Sequence, residues 1–237
     1  MKTVPKLGLV LVPGLLCDAL LWSEQIEALG AECKCWVADH ARSQTMAGVA
    51  DDVLRDAPFE RFALAGLSMG GYVALEIMRQ AAHRVDRLAL LDTSARADTP
   101  EQLERRRGLI ALARRGRFIG VAQAMLPLFI HPSRLKDEKL VDTVKQMARN
   151  TGHSRFIRQE EAIMSRGDSV ALLPAISCPA LVLCGRQDAV APLDRHEEMA
   201  NGIPRATLAV IEDCGHLSTL EKPAEVSEAL RRWLSAG

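Results

Sequence analysis

The chain has 237 residues, of which 48% are hydrophobic, and this length and composition suit one globular domain with a substantial buried core. Thirty basic and thirty acidic side chains cancel to a formal charge of zero. Because nucleic-acid and membrane-surface binders usually carry an excess of positive charge, we expect neither nucleic acid nor membrane as a partner.

Six short apolar runs recur along the chain, and each suits a strand that is buried on both faces of a sheet. They are LGLVLV (7–12), CKCWVA (33–38), RFALAG (61–66), RLALLD (87–92), ALVLCG (180–185) and ATLAVIE (206–212). Helical patterns separate them at 45–56, 69–82, 192–201 and 223–235. This alternation predicts an α/β fold with a mostly parallel sheet of about six strands and helices on both faces.

One long interval interrupts the alternation of strands and helices. Residues 93–178 contain no strand pattern, only amphipathic helical stretches near 100–115, 117–126, 136–150 and 155–166. We therefore predict an α/β core formed by residues 1–93 and 178–237. A helical cap, residues 94–177, is inserted after the strand that ends near Asp92.

The first apolar run, continued to Cys17, imitates a secretory signal. Pro13 and Gly14 interrupt it, however, and no small-residue cleavage site follows. No other apolar stretch approaches the roughly 20 residues that a bilayer crossing needs, so we expect a cytoplasmic protein. The six cysteines contain no CxxC pair, which favours free thiols over a metal site.

The segment AGLSMGGY (65–72) lies where the third strand pattern gives way to a helix. So abrupt a turn holds Ser68 in a strained conformation and lifts its hydroxyl clear of the sheet. At Gly66 and Gly70 a side chain would collide with neighbouring backbone, and Gly71 lets the helix lie close to a strand. The segment therefore predicts an exposed serine nucleophile.

A nucleophilic serine needs a base and a carboxylate that orients the base. Asp188 follows the fifth strand in CGRQDAVAP, and His216 follows the sixth strand in EDCGHLSTLEKP. Because the carboxyl ends of parallel strands share one sheet edge, we expect both side chains near Ser68. Asp92, at the end of the fourth strand, is the alternative acid.

The remaining histidines are weaker candidates for the base. His196 lies in the charged helical segment DRHEEMA, and we interpret it as a solvated surface residue. None of the others occupies a comparable position after a strand: His40, His83, His131 and His153.

Acyl transfer also needs two N–H donors for the developing oxyanion. Met69, directly after Ser68, supplies one. The second is expected from the loop VPGLLCD after the first strand, where Gly14 lets the backbone turn inward and Leu15 presents its N–H. Leu16 is the alternative donor.

Together these segments resemble the α/β-hydrolase superfamily: VPGLLCDALLW its oxyanion loop, GLSMGG its nucleophile elbow, GRQDAVAP its acid loop and GHLSTLEKP its histidine loop. The resemblance implies a capped serine hydrolase with the triad Ser68, Asp188 and His216 and with no metal or organic cofactor. Two departures stand out. Pro13 replaces the histidine common before the oxyanion-loop glycine, and the short stretch before the first strand suggests that the family's opening antiparallel hairpin is missing.

The expected substrate is a small or medium carboxylic ester. Because the elbow also resembles those of enol-lactonases and C–C hydrolases, a lactone or C–C hydrolase is the alternative, ahead of a slow-turnover ligand receptor. We expect Leu16, Met125 and Phe129 to contact substrate. Residues 101–168 carry 14 basic and 8 acidic side chains, and basic runs such as ERRR (104–107) fit either an anion-binding role or solvated helix faces.

Overall fold

A computed structural model describes residues 6–236, and residues 1–5 and 237 of the predicted core lie outside this range. Its six strands are β1 Leu7–Val12, β2 Cys33–Val37, β3 Phe62–Leu67, β4 Val85–Leu91, β5 Ala180–Gly185 and β6 Ala206–Ile211. They form one sheet in the order β2-β1-β3-β4-β5-β6, and every pair is parallel. The predicted parallel sheet of six strands is confirmed.

The described helices lie between and after these strands and include the predicted ones, together with α1 and α8, which were not predicted. They are α1 Ser23–Leu29, α2 Met46–Asp56, α3 Met69–Ala81, α4 Pro100–Leu112, α5 Phe118–Phe129, α6 Glu138–Met164, α7 Leu193–Gly202, α8 Ser218–Glu221 and α9 Pro223–Ser235. Every residue of β3 and of β5 is buried, as continuous apolar runs covered on both faces should be. The same expectation is wrong for the edge strands β2 and β6, which are partly exposed.

The direction of the strand connections decides where a ligand can bind. The chain passes from β1 outward to β2, returns beyond β1 to β3, and then continues in that second direction to β6. Because crossovers between parallel strands are right-handed, α1 lies on one face of the sheet and α2 and α3 on the other. This reversal opens a crevice at the carboxyl ends of β1 and β3, where open α/β sheets bind ligands.

Between β4 and β5 the chain forms α4, α5 and α6 with short 3-10 turns and no strand. Two glycines with positive φ interrupt these helices: Gly116, with φ 77°, joins α4 to α5, and Gly152, with φ 67°, breaks α6. The two helices predicted at 136–150 and 155–166 are therefore the two arms of α6.

Two further observations concern the chain's chemistry. All six cysteines are free, and residues 6–236 hold no cluster of three potential metal ligands. Within that same range, no helix combines the length and apolarity that a membrane crossing requires.

Candidate active site

Ser68 occupies a tight turn between β3 and α3, with φ 55° and ψ −115°. A positive φ is strained for a residue with a side chain, so surrounding contacts must hold it. The Ser68 N–H donates to the Leu91 carbonyl at 2.9 Å, and the Ser68 carbonyl accepts a hydrogen bond from Thr93 Oγ1 at 2.8 Å. The turn is thereby fixed to the end of β4.

The glycines around Ser68 make this turn possible. A Cβ on Gly66 would overlap the Gly70 backbone, and a Cβ on Gly70 would overlap the carbonyl of Val12 on β1. A Cβ on Gly71 would meet the Thr93 side chain. The backbone collisions predicted for Gly66 and Gly70 are confirmed, whereas Gly71 lies against Thr93, which follows β4 rather than belonging to it.

The three side chains predicted as nucleophile, base and acid form one hydrogen-bonded chain. Ser68 Oγ lies 2.9 Å from His216 Nε2, and His216 Nδ1 lies 2.8 Å from Asp188 Oδ2. Asp188 Oδ1 accepts hydrogen bonds from the N–H groups of Val190 at 2.7 Å and Ala191 at 2.9 Å. Both carboxylate oxygens are therefore held, and the carboxylate in turn orients the imidazole.

Electrostatics in this chain favour proton transfer from Ser68. Burial opposes the charged form of His216, but the negative Asp188 and its hydrogen bond outweigh burial and raise the His216 pKa above its ordinary value. Burial likewise opposes ionisation of Asp188, yet His216 and the backbone N–H donors hold the Asp188 pKa below its ordinary value. An ionised Asp188 thus faces a strengthened base.

Asp92, the alternative acid, is fully buried but does not hydrogen-bond His216. Its carboxyl oxygens accept from the Gly185 N–H at 3.0 Å and from the Ser218 N–H at 3.3 Å, and one of them also bonds the Ser218 hydroxyl. Burial and the nearby negative Asp188 raise the Asp92 pKa to about 8. Because Asp188, and not Asp92, lies within hydrogen-bonding distance of His216 Nδ1, the geometry favours Asp188 as the acid.

The interpretation of His196 as a solvated surface residue is wrong. The side chain is fully buried, its Nε2 accepts a hydrogen bond from the Thr93 N–H at 3.0 Å, and its Nδ1 lies 3.3 Å from the Pro192 carbonyl. Burial lowers the His196 pKa to about 4, so the ring is neutral. Because the Thr93 hydroxyl also donates to the Ser68 carbonyl, His196 supports the Ser68 turn indirectly, by holding Thr93.

The loop after β1 lies against this turn, and its contacts distinguish between the two candidate N–H donors, Leu15 and Leu16. Leu16 has a positive φ of 61°, and its N–H donates to Gln159 Oε1 at 3.2 Å. Leu15 lines the same cavity as Ser68. Since the Leu16 N–H is already engaged, the geometry favours Leu15 and Met69 as the donors for an oxyanion.

Sequence reasoning missed two residues that hold this loop. His40 Nε2 lies 3.0 Å from the Gly14 carbonyl and 2.9 Å from Gln159 Nε2. Burial lowers the pKa of His40 to about 4, which keeps the ring neutral. Gln159 on α6 thus connects the inserted helices to the loop after β1. Neither residue lies in a recognisable motif, and the only local signal is a histidine shortly after β2.

A cavity of about 180 Å³ opens beside Ser68. Met125 and Phe129, two of the residues predicted to contact substrate, line it. Leu16, the third, lines a neighbouring apolar cavity of about 200 Å³ that Phe129 also borders. The Phe129 ring stacks on the His216 imidazole with centroids 5.7 Å apart, so it borders both cavities and also contacts the candidate base.

Comparisons with known proteins identify the family of this chain. A family model described as the alpha/beta hydrolase fold matches residues 9–223. A solved thermophilic esterase from Thermogutta terrifontis, with malate bound, is 34% identical with a TM-score of 0.90, covering 98% of this chain and 90% of that one. This chain is also similar to two curated proteins. A 2-hydroxy-6-oxononadienedioate/2-hydroxy-6-oxononatrienedioate hydrolase from a Pseudomonas species is 27% identical, over 83% of this chain and 70% of its own. A putative carbamate hydrolase from Agrobacterium fabrum is 26% identical, over 95% of this chain and 92% of its own. The chain belongs to the α/β-hydrolase family.

Proposed function

We propose that this α/β hydrolase cleaves carboxylic esters of small to medium acyl groups, with Ser68 as nucleophile. The proposal rests on the continuous chain from Ser68 Oγ through His216 to Asp188, with contacts of 2.9 and 2.8 Å. Such a chain activates a hydroxyl that is otherwise a poor nucleophile. Similarity to the thermophilic esterase supports ester substrates in particular.

The reaction follows from these positions. Ser68 Oγ attacks the ester carbonyl carbon while His216 Nε2 takes the hydroxyl proton. The carbonyl oxygen becomes an oxyanion that accepts hydrogen bonds from the N–H groups of Leu15 and Met69, each such donor lowering a barrier by about 3 kcal/mol. The bond to the leaving alkoxide breaks as His216 donates the proton to it. Water, deprotonated by His216, then attacks the acyl carbon, and His216 returns the proton to Ser68 Oγ as the carboxylic acid leaves.

We propose that residues 94–177 act as the cap over this site. Helices α4 and α5 supply walls of the cavity beside Ser68, and Gln159 of α6 bonds the loop that presents Leu15. The cavity of about 180 Å³ is smaller than the pockets that hold drug-sized ligands, which favours short acyl chains.

A second candidate is hydrolysis of a lactone or of a C–C bond beside a ketone, which the same three side chains can perform. Similarity to the 2-hydroxy-6-oxononadienedioate hydrolase favours it. Incubation with an enol-lactone and with a 2-hydroxy-6-keto dienoic acid, followed spectrophotometrically, distinguishes it from ester hydrolysis.

The direct test is hydrolysis of 4-nitrophenyl esters from acetate to octanoate by wild type, Ser68→Ala and Asp188→Asn. We expect turnover by wild type and losses in kcat of about a hundredfold or more in both variants. Ser235→Ala, which changes an exposed serine at the end of α9, is the matched control and should retain wild-type rates. Full activity of Ser68→Ala would overturn the proposal. Ester-inert wild type that cleaves the lactone or keto acid would favour the second candidate.

A further inference from the structure

One face of α4 lines the cavity beside Ser68. Its members are Gln102, Arg105, Arg106 and Leu109, whose spacing of three, four and seven residues puts them on the same side of the helix. We call these four residues the cavity face of α4. A basic segment that could have faced solvent therefore places two guanidinium groups at the edge of the candidate active site.

The positive charge of Arg106 is already neutralised by two carboxylates. Its Nε lies 2.7 Å from Asp98 Oδ2, and its Nη1 lies 2.7 Å from Glu160 Oε2. Arg166 bonds the same Asp98 at 2.8 Å and stacks on the Tyr72 ring at 4.0 Å. Two arginines and two carboxylates thus balance in a largely buried cluster, so the charge of Arg106 is already paired with Asp98 and Glu160.

Arg105 differs from both of its neighbours. Within residues 6–236 it forms no hydrogen bond and no ion pair, whereas Arg107 pairs with Glu104 at 3.2 Å. None of the residues found to line the cavity is an aspartate or a glutamate. Arg105 is exposed and its charge acts on Glu160 without a direct contact, so among the described residues its guanidinium is a free hydrogen-bond donor at the edge of a mostly apolar cavity.

We propose that Arg105 selects esters that carry a second, ionised carboxylate, such as half-esters of short dicarboxylic acids. The inference rests on the proposed ester hydrolysis and names its substrate class. A guanidinium binds a carboxylate through two parallel hydrogen bonds, a geometry that an ammonium or an amide does not offer. Leu109, Met125 and Leu128 line the same cavity and supply apolar contacts for the methylene groups between the two carboxyls.

The test compares mono-4-nitrophenyl adipate with 4-nitrophenyl hexanoate, which differ in a terminal carboxylate against a methyl group. We expect wild type to hydrolyse the adipate with a kcat/KM at least tenfold higher, because a charged hydrogen bond is worth about ten- to hundredfold in binding. Arg105→Gln should remove most of that ratio, chiefly through KM. Arg107→Gln, the matched control on another face of α4, should keep it.

Charge reversal and charge retention complete the test. Arg105→Glu should prefer 4-nitrophenyl 6-(trimethylammonio)hexanoate over the adipate, and Arg105→Lys should keep part of the adipate preference. A wild-type ratio near one, or a ratio unchanged in Arg105→Gln, contradicts the inference while leaving ester hydrolysis intact. Failure of wild type to cleave either ester instead contradicts the proposed function. If Arg105→Gln is inactive on both esters, loss of the preference in Arg105→Lys contradicts the inference.

Discussion

Replacing Gln159 by leucine should impair catalysis from outside the triad. Gln159 is almost fully buried and accepts a hydrogen bond from the Leu16 N–H at 3.2 Å, while its amide nitrogen lies 2.9 Å from His40. Through these contacts it fixes the loop whose Leu15 N–H we propose as an oxyanion donor. Leucine has a similar size, so the substitution removes the hydrogen bonds without opening a large cavity.

The expected magnitude follows from the groups left behind. A buried Leu16 N–H without an acceptor costs about 1–3 kcal/mol, so the free energy of unfolding should fall by that amount. Complete loss of one oxyanion donor lowers kcat by about 10²–10³-fold. Since the Leu15 N–H is displaced rather than removed in Gln159→Leu, we expect a loss of at least about tenfold in kcat. KM should change little, because the oxyanion forms only in the transition state.

The assay combines steady-state kinetics on 4-nitrophenyl hexanoate with the inhibition constant of a trifluoromethyl ketone. That inhibitor adds to the serine and forms an oxyanion, so its affinity should weaken in parallel with kcat/KM. Gln80→Leu is the matched control, because the Gln80 side chain is exposed on α3 and hydrogen-bonds the Ala47 carbonyl and the Glu76 carboxylate. A lowered Tm with unchanged kcat and unchanged inhibitor affinity would refute the reasoning and leave Gln159 a purely structural role.

Three further predictions concern residues around the triad. The acid limb of the kcat/KM profile should have its midpoint above about 6.5, because the His216 pKa is raised and only neutral His216 accepts the serine proton. Its midpoint should move to lower pH in Asp188→Asn, which lacks the charge that raises it. Asp92→Asn should gain stability relative to wild type as pH rises from about 4 to about 8, because native Asp92 keeps its proton over that window while the unfolded carboxyl loses it. Thermal melts of wild type and Asp92→Asn across this pH range test the prediction, and a Tm difference that does not change with pH would contradict the raised pKa of Asp92. Phe129→Ala should join the two cavities and shift the acyl preference towards longer chains such as octanoate, whereas an unchanged chain-length profile would show that the cavities do not communicate.

The sheet and the close approach of Ser68, His216 and Asp188 were predictable because their signals are local. Continuous apolar runs identify strands covered on both faces, and parallel strands bring the loops after β3, β5 and β6 to one edge. Ser68, Asp188 and His216 each lie just beyond such a run, so position relative to a strand was enough to bring them together.

Residues whose burial depends on tertiary packing could not be identified in that way. His196 stands among charged residues in the sequence, and only the packing of α7 against the end of β4 buries it under Thr93. Gln159 and His40 meet across 119 positions of the chain. No local pattern records such a contact.

The arginine run of α4 shows the same limit most clearly. Successive residues of a helix differ in direction by about 100°, so three adjacent and identical side chains meet three environments. Arg105 and Arg106 both line the cavity, but Arg106 also belongs to a buried ion-pair cluster, and Arg107 pairs with Glu104. In the sequence they form one basic run, and their different environments become visible only when α4 is packed over Ser68.

Covalent trapping tests the central claim, that Ser68 is the nucleophile, most directly. Wild-type protein is treated with a fluorophosphonate, its intact mass is measured, and the modified peptide is sequenced. The account predicts a single adduct on the peptide that contains Ser68, and none in Ser68→Ala. An adduct on another residue, or equal labelling of Ser68→Ala, would contradict it.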